Sequence, residues 1–143
     1  MTDKSKEVVI VSAVRTPIGS YRGSLKKMRS DQLGSLVIKE ALKRTKFSLA
    51  EVDEVIMGQV LTAGAGQNPA RQAAINAGIP ISKPAHIINQ VCGSGLRAVI
   101  SGYQSIKLGD SLNVISGGQE NMSIAPHSIF FRDERKISED KLT

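Results

Sequence analysis

Tryptophan is absent from this 143-residue chain, and there are only two tyrosines and three phenylalanines. So few aromatic platforms argue against nucleic-acid recognition by base stacking. A single cysteine, Cys92, excludes an intramolecular disulfide, and no His/Cys cluster has the spacing of metal ligands. A reducing compartment, the cytoplasm, is the default expectation. Only the short polar segment Met1 to Glu7 precedes the first apolar run, so neither a secretory signal nor an Arg-rich transit peptide is expected. No apolar run reaches the length needed to cross a bilayer, so no membrane association is expected. Internal repeats and low-complexity segments are lacking as well.

Charge is present but not concentrated. The formal net charge is +6, yet apart from Lys26, Lys27 and Arg29 the basic residues are scattered. That balance describes a solvated surface, or a field drawing in a polyanionic ligand such as coenzyme A. It gives no dense patch for a nucleic-acid partner.

What the chain does have is 41% hydrophobic residues and 13 glycines, enough for one domain with its own core. Residues 8–14 form a β-branched, near-continuously apolar run, the pattern of a strand buried on both faces. Leu33, Leu36, Val37 and Ala41 fall at helical spacing behind Ser30 and Asp31, which predicts a helix to about Arg44. Ser48 to Glu51 has capping-box form. Residues 55–60 read as a second strand, followed by a glycine-rich loop from Thr62 to Gln67. Asn68 and Pro69 open a helix that Gly78 closes. Residues 86–90 read as a third strand, and a helix striped by Leu96, Val99, Ile100 and Tyr103 runs to Gly109. Residues 112–116 read as a fourth strand, stopped by Gly117 and Gly118. Alternating strands and helices predict an α/β fold, a layered sheet with helices on both faces.

Cys92 lies between a predicted strand and a predicted helix, at the sheet edge where open α/β folds bind ligands. Gly93 and Gly95 keep the first helical turn free of bulk, so a substrate can approach. Unpaired N–H groups at a helix start favour thiolate, the reactive form. Against this stands the common fate of a lone intracellular cysteine, a small buried hydrophobe. Spacing alone leaves both readings open.

Other features carry less. Gly93-Ser94-Gly95 lacks the GxGxxG pattern and the lysine of a phosphate loop, and Ser94 lacks the G-x-S-x-G frame of a serine nucleophile. His86 and His127 read as surface histidines. Gln67 to Gln72 is a well-capped helix start, and Gly117 to Met122 is a turn at the ligand edge.

Together these segments resemble the thiolase family, and its acetyl-CoA acetyltransferase branch in particular. The resemblance rests on residues 9–17, on Gly66-Gln67-Asn68-Pro69-Ala70-Arg71-Gln72-Ala73, on Asn89-Gln90-Val91-Cys92-Gly93-Ser94-Gly95-Leu96-Arg97-Ala98, and on Gly117-Gly118 with Glu120-Asn121-Met122-Ser123. It implies the N-terminal half of the thiolase-like fold, with a mixed sheet. Residues 1–125 would form that domain in part, and 126–143 would begin the family's loop domain. It implies that Cys92 takes the acyl group from an acyl-CoA thioester, its backbone N–H serving as oxyanion donor. Condensation of two acetyl-CoA, or thiolysis of acetoacetyl-CoA, would follow. Coenzyme A thioesters are then substrates, and no cofactor is implied. A homo-oligomer, dimer or tetramer, is implied too, with Gln67, Asn68, Arg71, Asn89 and Gln90 near the dimer contact.

The chain reaches Thr143 before the family's second copy of the fold, which carries an Asn-Glu-Ala-Phe segment, a Gly-His-Pro histidine and a second cysteine. General acid/base catalysis contributes roughly 10²–10⁴-fold, so this chain alone is expected to be inactive without its C-terminal half. The helix face of Gly95, Ala98 and Gly102 is expected to be exposed without that half. The alternative reading is a non-catalytic remnant of the fold acting in binding or assembly.

Overall fold

The computed structural model describes residues 7–128. Helix α1 (Ser30–Thr45) and a 3-10 turn (Leu49–Glu51) precede strand β1 (Glu54–Gly58). Helix α2 (Pro69–Ala77), β2 (Ala85–Ile88), α3 (Ser94–Leu108) and β3 (Val114–Gly118) follow, with a last 3-10 turn at Met122–Ile124. The three strands are parallel in the order β2-β1-β3, Val55 pairing Ala85 on one side and Ile115 on the other. Parallel neighbours need crossover connections, and α2 and α3 provide them.

Strand β1 is central, and its alternation sorts the layers. Val55 and Met57 join Ile38, Leu42, Val52 and the alanines of α2 in the core on one face. Ile56 and Gly58 have the opposite parity, and α3 lies at Gly58. The α/β layering expected from the sequence, with helices on both faces, is present. The alanine face of α2 (Ala70, Ala73, Ala74 and Ala77, all buried) lets α1 lie close over it.

Helix ends follow the expected chemistry. Asn68 caps α2 by accepting the N–H of Arg71 at 3.1 Å, and Pro69 takes the first helical position. Gly78 closes α2 at φ 98°, a left-handed conformation that glycine adopts without strain. Ser48 and Glu51 form the expected capping box. At α1 the cap is Arg29 rather than Ser30, and its N–H donates to Gln32 Oε1 at 2.9 Å.

Three sequence expectations are corrected. Residues 8–14 form no strand: Val9, Ile10 and Val11 are 65%, 78% and 63% exposed. A strand requires a neighbour for its N–H and C=O groups, and no described strand pairs with this run. The buried stripe of α1 is Gly34, Ser35, Ile38 and Leu42, while Leu36 of the expected stripe is exposed. On α3 the expected stripe is turned outward: Leu96 and Tyr103 are exposed, and Ser94, Ala98 and Gly102 are buried. The small-residue face therefore packs on this chain's own sheet, where a Cβ on Gly102 would fall 2.3 Å from Ser116 Oγ. Close helix-to-sheet contact, rather than contact with a second copy, selects small residues there. Most of the expected 126–143 segment, residues 129–143, lies outside the described residues.

Asp53 ties the entrances of the three strands together. Its Oδ2 accepts the N–H groups of Leu112 (2.9 Å) and Asn113 (3.0 Å), and Lys83 Nζ lies 3.4 Å from Oδ1. The Asn113 N–H foremost, then the Leu112 N–H, with a smaller part from Lys83, hold the Asp53 carboxyl below its ordinary pKa. A depressed carboxylate adds stability above its unfolded pKa, about 3.9, and loses it as pH falls through the lower folded value. The urea midpoint of Asp53→Asn should therefore fall below that of the parent at neutral pH, and the gap should close on acidification. A gap independent of pH would contradict this account.

Candidate functional site

Strand β2 ends at Ile88, and the chain makes a tight turn through Asn89, Gln90 and Val91 before Cys92. Helix α3 starts two residues later, with Gly93 as its cap. Cys92 is exposed, so the buried-hydrophobe reading of this thiol does not hold. The turn lies at the C-terminal ends of the parallel strands, where helix starts gather in α/β folds.

The seat under α3 is made of glycine. A Cβ built on Gly58 would lie 2.3 Å from the carbonyl carbon of Ser94 and 2.5 Å from the Gly95 nitrogen. The helix start therefore rests on the backbone at the end of β1. Gly118 at the end of β3 meets Gly95 in the same way, a Cβ there falling 3.3 Å from the Gly95 Cα. Gly95 thus lies over the end of β3, a Cβ on it meeting the Gly118 Cα at 3.7 Å, an ordinary contact. Gly93 faces the turn, a Cβ there meeting the Gln90 carbonyl oxygen at 3.3 Å.

Val91 takes φ 50°, in the left-handed region. For a β-branched residue that costs of order 1–3 kcal/mol, so neighbours must hold it. Asn89 Oδ1 accepts the Val91 N–H at 3.0 Å. Ser94 is 4% exposed, and its Oγ accepts the Gln90 N–H at 2.9 Å and donates to the Val91 carbonyl at 2.5 Å. The Gly93 N–H donates back to the Gln90 carbonyl at 3.0 Å.

A polar lock lies beside this turn. Asn89 Nδ2 donates to the Val60 carbonyl at 3.3 Å, and Glu120 Oε2 accepts the N–H groups of Val60 (2.8 Å) and Leu61 (3.2 Å). Buried Gln119 donates to Gln59 Oε1 at 3.0 Å. Asn121 Nδ2 donates to the carbonyls of Leu25 (3.0 Å) and Met28 (2.6 Å). The stretch after Gly118, read from sequence as a turn, thus fastens the loop after β1 and the segment before α1. The polar residues following a strand were the only signal of it.

Among the other named residues, Asn68 and Arg71 have partners within the chain. Asn68 Nδ2 donates to the Ala85 carbonyl at 2.8 Å, and Arg71 donates to the carbonyls of Lys83 and Ile81. Both side chains bind α2 to the segment entering β2. Gln67, Asn89 and Gln90 are exposed. His86 stands 3.3 Å from Glu54 and is not part of the Cys92 turn. An open depression of about 410 Å³ between α1 and α2, edged by Arg29, Asp31, Arg71 and Gln72, is not lined by Cys92. Among the described residues no group of three or more His, Cys, Asp or Glu could hold a metal ion, and no helix is long and apolar enough to cross a membrane.

A parallel sheet that presents one thiol at the start of a glycine-seated helix defines an α/β protein with a thiol-bearing strand-to-helix turn. Residues 8–142 match the family described as "Thiolase, N-terminal domain". The chain belongs to the thiolase family.

Its similarities run to whole enzymes. It is 56% identical over 137 residues to an acetyl-CoA acetyltransferase of Cupriavidus necator, covering 95% of this chain and 35% of the relative. It is 53% identical over 139 residues to the cytosolic acetyl-CoA acetyltransferase of Rattus norvegicus, covering 97% of this chain and 35% of that protein. A thiolase of Ascaris suum, crystallised in complex with coenzyme A, superposes with a TM-score of 0.83 at 44% identity, covering 85% of this chain and 32% of that one. The chain thus spans about a third of the length of the relatives it matches.

Proposed function

We propose that this chain is the nucleophile-bearing part of an acetyl-CoA acetyltransferase, with Cys92 carrying the acyl group. The observation that supports it most is the exposed Cys92 thiol at the glycine-seated start of α3. In this reading the sulfur attacks the carbonyl carbon of an acetyl thioester, and the thiol of coenzyme A leaves. The Cys92 N–H, at a helix start, stabilises charge on the carbonyl oxygen. A second acetyl-CoA, deprotonated at its methyl carbon, then forms the new C–C bond and frees the sulfur. Thiolysis of acetoacetyl-CoA is the reverse, the step fatty acid metabolism uses.

Removing that proton needs a base, and neither described histidine stands in the Cys92 turn. Turnover by this chain alone is therefore expected to be negligible. Substrates are coenzyme A thioesters, with no separate cofactor, and the compartment is the cytoplasm, as for the rat relative. A homo-oligomer is part of the proposal, with Gln67, Asn68, Arg71, Asn89 and Gln90 near the contact between copies. Residues 1–125 act as one domain, and 126–143 lead into the loop domain.

The test is alkylation. Iodoacetamide should label Cys92 several-fold faster in the native chain than in the urea-unfolded chain at the same pH. Equal or slower labelling of the native chain would sink the nucleophile reading.

A further inference from the structure

We propose that Ser94 and Asn89 are positioning residues for Cys92, acting through the strained backbone of Val91; the inference rests on the nucleophile reading above. The two polar backbone groups of Val91 are each held by a different side chain. Asn89 takes its N–H, and its carbonyl accepts the hydroxyl of Ser94 together with the Ser94 backbone N–H at 3.1 Å. Ser94 Oγ also takes the N–H of Gln90, so one buried hydroxyl brackets the residue on both sides.

Neither anchor floats. The backbone of Ser94 is pressed against Gly58 at the end of β1. The amide of Asn89 reaches the Val60 carbonyl, whose own N–H is fixed by Glu120. The positive φ at Val91 is thereby referred to the sheet through two independent routes. A β-branched residue released from these bonds relaxes to an extended conformation. The peptide joining Val91 to Cys92 then rotates, and with it the thiol and the N–H of Cys92. Burial removes Ser94 from any direct part in the chemistry, which leaves the bracket as its role.

The bracket can be tested with the 143-residue chain and iodoacetamide, following folding separately by circular dichroism. Ser94→Ala should label Cys92 about tenfold more slowly than the parent, the change expected when roughly 1.4 kcal/mol of strain is no longer held. Adding Val91→Gly to Ser94→Ala should restore the rate, because glycine takes a positive φ without help. A purely structural loss would deepen in the double variant, since glycine adds backbone freedom.

Asn89→Ala, at an exposed side chain, should slow labelling and be restored by Val91→Gly in the same way. It carries the test if Ser94→Ala does not fold. Labelling of the single variants at the parent's rate, or slowing that Val91→Gly does not reverse, overturns this inference alone. A parent that labels no faster than its unfolded form overturns the nucleophile reading and this inference with it.

Discussion

Gly58→Ala is expected to lose more than about 3 kcal/mol of stability, because the new methyl group meets backbone that has nowhere to go. Its Cβ would sit 2.3 Å from the Ser94 carbonyl carbon and 2.6 Å from the Ser94 carbonyl oxygen. Relief requires α3 to lift from the sheet, which also displaces the turn carrying Cys92. Gly117→Ala is the matched comparison on β3, where the nearest atom to the added carbon is Met57 Sδ at 3.8 Å. It should stay within about 1 kcal/mol of the parent, since alanine is the better residue inside a strand. Urea unfolding of the two variants measures the difference. Equal midpoints would show that α3 does not rest on the backbone of Gly58.

Ile38→Ala should cost about 2–5 kcal/mol, the usual range for emptying a fully packed aliphatic site. Ile38 is 1% exposed and joins Leu42, Val55, Met57 and the α2 alanines in one cluster. Leu36, two residues earlier, is 50% exposed. Leu36→Ala should change stability by less than about 1 kcal/mol. Thermal or urea unfolding of both decides between the observed stripe and the one the sequence pattern favours. A larger loss at Leu36 than at Ile38 would reverse the assignment.

That contrast shows what the sequence disclosed. Elements with chemical punctuation were legible: Asn68-Pro69 opened α2, Gly78 closed it, and Gly109 closed α3. The face of a helix was less so. On α3, Leu96 and Tyr103 look like a core stripe, but a helix lying against Gly58 and Gly118 has room only for Ala98 and Gly102. Large apolar residues then occupy the other side. The run at residues 8–14 has the composition of a buried strand, yet composition cannot supply a neighbour to pair with.

At the candidate site, the position of Cys92 between β2 and α3 was legible from one thiol beside a Gly-Ser-Gly turn. The polar residues that shape this turn were not. Glu120 acts on a backbone group 60 residues away and Asn89 on one 29 residues away, and no local pattern announces such bonds. The bonds of Ser94 to Gln90 and of Asn89 to Val91 are local, but nothing in the sequence shows that the backbone between them takes a positive φ. Gly58 looked like an ordinary strand end; its role follows from what the third dimension lays upon it.

The pairing order β2-β1-β3 also sets a timetable for folding. The central strand meets β2 thirty residues downstream but waits for β3, sixty residues beyond it. On a ribosome adding about 5–20 residues per second, that interval is roughly 3–12 s. Throughout it one edge of β1 lacks its permanent neighbour, and sheets closed by such distant contacts form slowly. Nascent-chain aggregation is therefore expected to peak before Gly118 emerges, and slowing synthesis ahead of β3 lengthens the hazard.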